Sequence, residues 1–246
     1  MNRSAWQQAL DERAARDPAL GLAATLGGDA ASPGLIAAML LRECLESIYA
    51  VSDRRVAEAR LSWWIAEAER VADGTAEHPL SAALPTSQAP LLRRMAGHAL
   101  ASLDQPIPEH CAAVIEQLRP LAAAAAGMAP AQDWLAITAA HALRCRRHGG
   151  DGLPQLWPLD LLARHRLSKA DLSQAQHPAA SAFWRDYAGQ LAALLPPPDP
   201  AAPRALRVLS SLERRYLKRV ARSGFVDQQL RWSDVLSAWW AARGRA

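Results

Sequence analysis

Two short segments hold the residues whose types and spacing could do chemistry. Glu43 and Glu46 stand three apart in the stretch LRECLESIYAV, so on a helix both carboxylates share one face. Such a pair can ligate a divalent cation through hard oxygens, or accept ion pairs from Arg42 or from an arginine on a facing helix. Further along, Arg144, Arg146, Arg147 and His148 cluster within five residues. Guanidinium forks match phosphate oxygens, so this cluster suits a diphosphate held without metal, and equally a solvated last helical turn favoured by the helix dipole. His141, Cys145 and His148 fall at i, i+4 and i+7, the ligand types of a soft metal. Three groups on one straight helix cannot surround a tetrahedral ion, and no fourth ligand is in view. Neither Asp-x-x-Asp nor Asp-x-x-x-Asp occurs anywhere in the 246 residues. The expectation is therefore no metal ligand and no catalytic residue.

The elements that must position these groups are helices. Alanine occupies 54 positions, and the bases are 26 Arg against Lys169 and Lys218 alone. Ala, Leu, Arg, Glu and Gln are strong helix formers, whereas a β-sandwich or an α/β sheet needs Val- and Ile-rich runs that are missing here. Nine or ten helices are expected, at about 35–51, 53–72, 80–84, 90–104, 109–126, 131–148, 158–165, 177–195, 204–222 and 232–242. They form one irregular domain over residues 1–246, with a short lead at 1–18 and a stiff Pro-rich loop at 196–203. In the second helix Leu61, Trp64, Ile65, Ala68 and Val71 make an apolar stripe. Trp64 takes its centre, and Trp63 turns toward a cavity beside Arg60 and Glu67.

Charge and cysteine usage narrow the setting. A formal +4 with a pI near 9.3 mildly favours acidic partners. Seven bases on 204–222 against Glu213 alone suit a membrane surface, an acidic partner or an ordinary solvated face. No helix-turn-helix or zinc-finger spacing supports nucleic acid. Three scattered cysteines without a CxxC pair fit a reducing compartment, and neither a leader nor an apolar span of about 20 residues is evident. A cytoplasmic protein, at most peripheral to the membrane, is expected. Trp239-Trp240 suits either helix packing or docking on an interface.

Two groups of motifs carry a resemblance. Arg60-Leu61-Ser62-Trp63-Trp64, with Glu67 one turn on, is followed by Gly74 and by His78-Pro79-Leu80-Ser81-Ala82-Ala83-Leu84. Leu143-Arg144-Cys145 is followed by LWPLDLLARH from Leu156 and by Ala170-Asp171-Leu172; Tyr216-Leu217, Arg219 and Ser223-Gly224-Phe225 fit more loosely. In this order they resemble the squalene/phytoene synthase family over roughly residues 20–240. The resemblance implies an all-α isoprenoid synthase fold around a central pocket. It also implies a prenyltransferase ancestry in isoprenoid biosynthesis, in which Asp-rich motifs hold Mg²⁺ against a diphosphate leaving group.

The chain departs from that pattern where the chemistry sits. Cys145 stands where the first Asp of the second motif belongs, with His148 and Gly149 in place of the acidic pair that follows it. The chain thus resembles the non-catalytic branch of the family, which includes a complex I assembly factor. Glu43, Glu46, Arg60, Trp63, Glu67, Arg144, Arg146, Arg147 and His148 become candidates for holding an isoprenoid, a prenyl diphosphate or a protein partner. No cofactor is expected, and Mg²⁺ only if the protein is active. Two other readings stand beside an accessory or assembly factor: an active head-to-head prenyltransferase with a variant metal site, and a helical interaction module whose pocket has collapsed.

Overall fold

With so much alanine, leucine and arginine and so few β-branched residues, the backbone has little alternative to helix. The computed structural model describes residues 5–28, 33–128, 131–148, 157–173, 178–224 and 229–244, and among them no strand occurs. The helices are α1 (Ala5–Arg16), α2 (Pro18–Gly27), α3 (Pro33–Tyr49), α4 (Arg54–Ala72), α5 (Pro79–Ala82), α6 (Ala89–Ser102) and α7 (Cys111–Ala125). They continue as α8 (Ala131–His148), α9 (Leu159–His165), α10 (Lys169–Ser173), α11 (Pro178–Leu194), α12 (Arg204–Ser223) and α13 (Trp232–Ala242).

Thirteen described helices replace the nine or ten expected. Of the additions, α1 occupies the segment read as a lead, α2 follows directly after it, and the third is α10. Helix α1 escapes a periodicity search because Leu10 is its only fully buried described side chain. Helix α2 is started by Asp17, whose carboxylate accepts the amides of Ala19 and Leu20, with Pro18 in the first turn. The Pro-rich loop is held in place: the Asp199 amide donates to Asp133 of α8 at 3.2 Å.

Helix α3 is the axis of the molecule. Only Pro33, Glu43 and Glu46 along it keep appreciable exposure, and a helix apolar almost all round must be enclosed. It packs on α4, α5, α6, α7, α8 and α12. Helix α12 buries Leu206, Leu209, Leu212, Tyr216, Leu217 and Val220 at three- and four-residue spacing, against α2, α8, α11 and α13. Glu213 falls inside that apolar stripe. A Cβ on Gly27 would lie 2.7 Å from Cβ of Ala205, so glycine permits the close crossing of α2 over the start of α12. The buried apolar residues, from Leu10 to Ala242, form one continuous core.

Candidate functional site

Because α3 is buried nearly everywhere, its two glutamates mark the one polar opening along it. A cavity of about 450 Å³ lies over them, lined among others by Arg13, Arg16, Asp17, His78, His141, Arg144 and Cys145. Helix α1 brings Arg13 to the carboxylates. Its guanidinium donates to Glu43, and to Glu46 at 2.9 Å and 3.3 Å. Arg60 lies 3.8 Å from the other Glu43 oxygen. His141 Nε2 lies 3.3 Å from Glu46 Oε1, without hydrogen-bonding geometry.

Beneath this layer is a second, drier one. Arg42 turns away from Glu43 and Glu46 and donates to Asp17, and to Glu213 at 2.5 Å. Arg144 donates to both oxygens of Glu213, at 3.2 Å and 2.6 Å, and its guanidinium carbon lies 4.4 Å from the centroid of the Tyr216 ring. Arg42 and Glu213 are fully buried, so each ion is held by its partners and not by water.

The electrostatics follow from this packing. Burial pushes the Asp17 carboxyl up, but the guanidiniums of Arg42 and Arg144 outweigh it and hold the group well below the usual carboxylate range. His141 is driven well below its ordinary value, first by burial and then by the same two arginines, so it is neutral. For Arg144, burial works against the charge, yet Glu213 and Asp17 raise its affinity for the proton above the ordinary value. Burial lowers His78 despite the nearby Glu43 and Glu67. The Cys44 thiol, fully enclosed and beside Glu43, is pushed up to about 12 and is inert as a nucleophile.

The residues singled out from the sequence divide three ways. Glu43, Glu46 and Arg144 meet around the cavity, whereas Arg60 does not line it and approaches only Glu43. Trp63 and Glu67 do not line it, contrary to expectation. Trp63 is 38% exposed and packs edge-on to Trp64 and His78, while Trp64 fills the stripe as expected. Glu67 is buried as an anchor, accepting the amides of Glu77 and His78, the Ser81 hydroxyl and the Arg70 guanidinium. That role explains why an acid precedes the His78-Pro79-Leu80 turn. The side chains of Arg146, Arg147 and His148 lie outside the described residues. The solvated reading of the cationic turn fails at Arg144, which is buried and paired.

The sequence reading missed Arg13, Arg16 and Asp17. Their signal was Asp17-Pro18, an N-cap followed by an N1 proline, with Arg13 one helical turn before the cap.

A set of Mg²⁺ ions does not fit these residues. Both carboxylates of α3 already accept the Arg13 guanidinium, and α8 opposes them with His141, Arg144 and Cys145 instead of hard oxygens. Among the described residues no group of three or more His, Cys, Asp or Glu is placed to hold a metal ion. No helix of the described residues is long and apolar enough to cross a membrane. No protein-family model, no curated protein and no solved structure matches this chain.

Proposed function

We propose that this chain is a non-catalytic protein of the squalene/phytoene synthase type, an accessory or assembly factor that binds an isoprenoid, a prenyl diphosphate or a protein partner at the Arg13–Glu43–Glu46 cavity. One observation carries the reading. The chain supplies its own cation, Arg13, to the two carboxylates that a metal-dependent member would leave free for Mg²⁺. Without a metal to neutralise the departing diphosphate, ionisation of a prenyl substrate has no electrophilic support here. The cavity is walled about equally by polar and apolar surface, with Arg13, Arg16 and Arg144 set among Glu12, Asp17, Glu43 and Glu46, and so many charges suit a polar headgroup better than two hydrocarbon chains.

Incubation with farnesyl or geranylgeranyl diphosphate and Mg²⁺, followed by extraction, tests the absence of catalysis. No hydrocarbon and no presqualene-type diphosphate is expected; either product overturns the reading. A second reading, a helical interaction module without a ligand pocket, is favoured by how tightly Trp134, Trp184, Leu40, Leu41 and Leu45 fill the interior. Calorimetric titration with farnesyl diphosphate separates the two. Binding that is lost in Arg13→Met supports the cavity, and no heat at any concentration supports the filled module.

A further inference from the structure

Helix α13 is oriented the wrong way round for an ordinary surface helix. Its inner face is Asp234, Ala238, Ala241 and Ala242, all buried, whereas its large apolar side chains point outward. Trp232 is 81% exposed, Leu236 57%, Trp240 43% and Trp239 38%. At 100° per residue, positions 232, 236, 239, 240 and 243 fall within an arc of about 100° opposite the buried face. The helix is secured by polar contacts instead. Asp234 accepts Arg215 at 2.9 Å together with Arg219, Ser211 meets Ser237 at 3.1 Å, and Arg207 donates to the Ala241 carbonyl at 3.1 Å. These contacts run antiparallel along α12 and turn the Trp stripe away from the protein.

From this inverted helix we infer that the outer face of α13 docks the protein in the plane of an anionic lipid surface. The charges around the patch choose this occupant. Arg231 and Arg243 are exposed at its two ends, Arg243 lies 3.3 Å from the centroid of the Trp239 ring, and Lys218 and Arg222 are exposed on the neighbouring α12. The one acid of α13, Asp234, is buried and neutralised, so no exposed carboxylate on the helix opposes lipid phosphates. Trp with Arg is the composition of a bilayer interface, where indoles sit at headgroup depth and guanidiniums reach phosphate. Eleven residues extend roughly 16 Å, about half of a hydrocarbon core, so the helix lies on the membrane and does not cross it. A second copy of the chain would set arginine against arginine across the same patch.

Flotation of the full chain with phosphatidylglycerol-containing vesicles, against pure phosphatidylcholine vesicles, is the test. Binding to the anionic vesicles that weakens with added salt is expected. Arg231→Gln with Arg243→Gln should weaken it about tenfold, and Trp232→Ser with Leu236→Ser and Trp239→Ser by at least about tenfold, with unchanged helical circular dichroism. Should the triple variant misfold, quenching of Trp emission by bromine-labelled lipid in the parent protein replaces it. No binding to anionic vesicles, full binding by the folded triple variant, or no quenching overturns the inference. So does dimerisation in sedimentation that the triple variant abolishes, since the patch then belongs to a second copy.

Discussion

Arg13 lines the cavity and Glu213 lies in the layer beneath it, so the environments of these two paired charges differ. The Arg13 side chain is 18% exposed, and its partner Glu46 is 32% exposed, so water partly screens the pair. Glu213 is fully enclosed between Arg42 and Arg144. Removing one partner of a screened pair costs about 1 kcal/mol, whereas leaving buried charges uncompensated costs about 3–5 kcal/mol. Urea unfolding should therefore show a small loss for Arg13→Met and a several-fold larger one for Glu213→Gln. Equal losses would mean that the inner layer is hydrated. The sequence singled out Glu213 only as the lone acid among seven bases, not as a buried partner. Its place in the stripe of Leu209, Leu212, Tyr216 and Val220 shows that it points inward with them.

At the scale of elements, α2 depends on one residue with two tasks. One Asp17 oxygen accepts the amides of Ala19 and Leu20, and the other accepts Arg42. Asparagine can keep the cap but not the charge; alanine keeps neither. Asp17→Ala should be less stable than Asp17→Asn by about 1 kcal/mol in thermal or urea melts, with both well below the parent. Helices from 33 onward, α10 excepted, were readable because breakers such as Gly74, Pro79 and Pro203 bracket periodic apolar runs. Helix α1 was not, because it places Arg13 over α3 and buries little apolar surface of its own; α2 was missed because its buried run of Ala19, Leu20 and Ala23 is too short to show a period. Trp63 was misplaced for a similar reason: two adjacent indoles fix which one is central, but not whether the other faces a cavity or solvent.

For the whole molecule, the buried neutral imidazole of His141 sets the response to acid. Facing it are Arg42, Arg144, Asp17 and Arg13, with Glu46 beside its outer nitrogen. Its folded pKa is depressed, so below about 6.5 the unfolded chain binds a proton that the native protein refuses. Stability is full above that pH and falls as the pH drops, by about 1.4 kcal/mol per unit until the folded value is reached. His78, also depressed, acts in the same direction. Asp17 adds its own loss in a separate, lower window: its stabilisation holds above about 3.9 and is lost as pH falls toward its depressed folded value. Urea midpoints should decline from about pH 7 to about pH 5.5, and His141→Gln should flatten that decline. A flat profile in the parent would show that His141 takes up its proton as readily in the folded protein as in the unfolded chain.

The bond between Arg42 and Glu213 joins residues 171 apart in the chain. During synthesis at about 5–20 residues per second, Arg42 leaves the ribosome roughly 10–30 s before the acid that completes its pairing exists. In that interval Asp17 alone is there to neutralise it, and the side of α3 that carries Arg42 has no α12 against it. Helices α4 to α8 can already cover most of α3 by then, so a ribosome stalled before Glu213 would carry a product in which only the Arg42 side of the central helix lacks its partner.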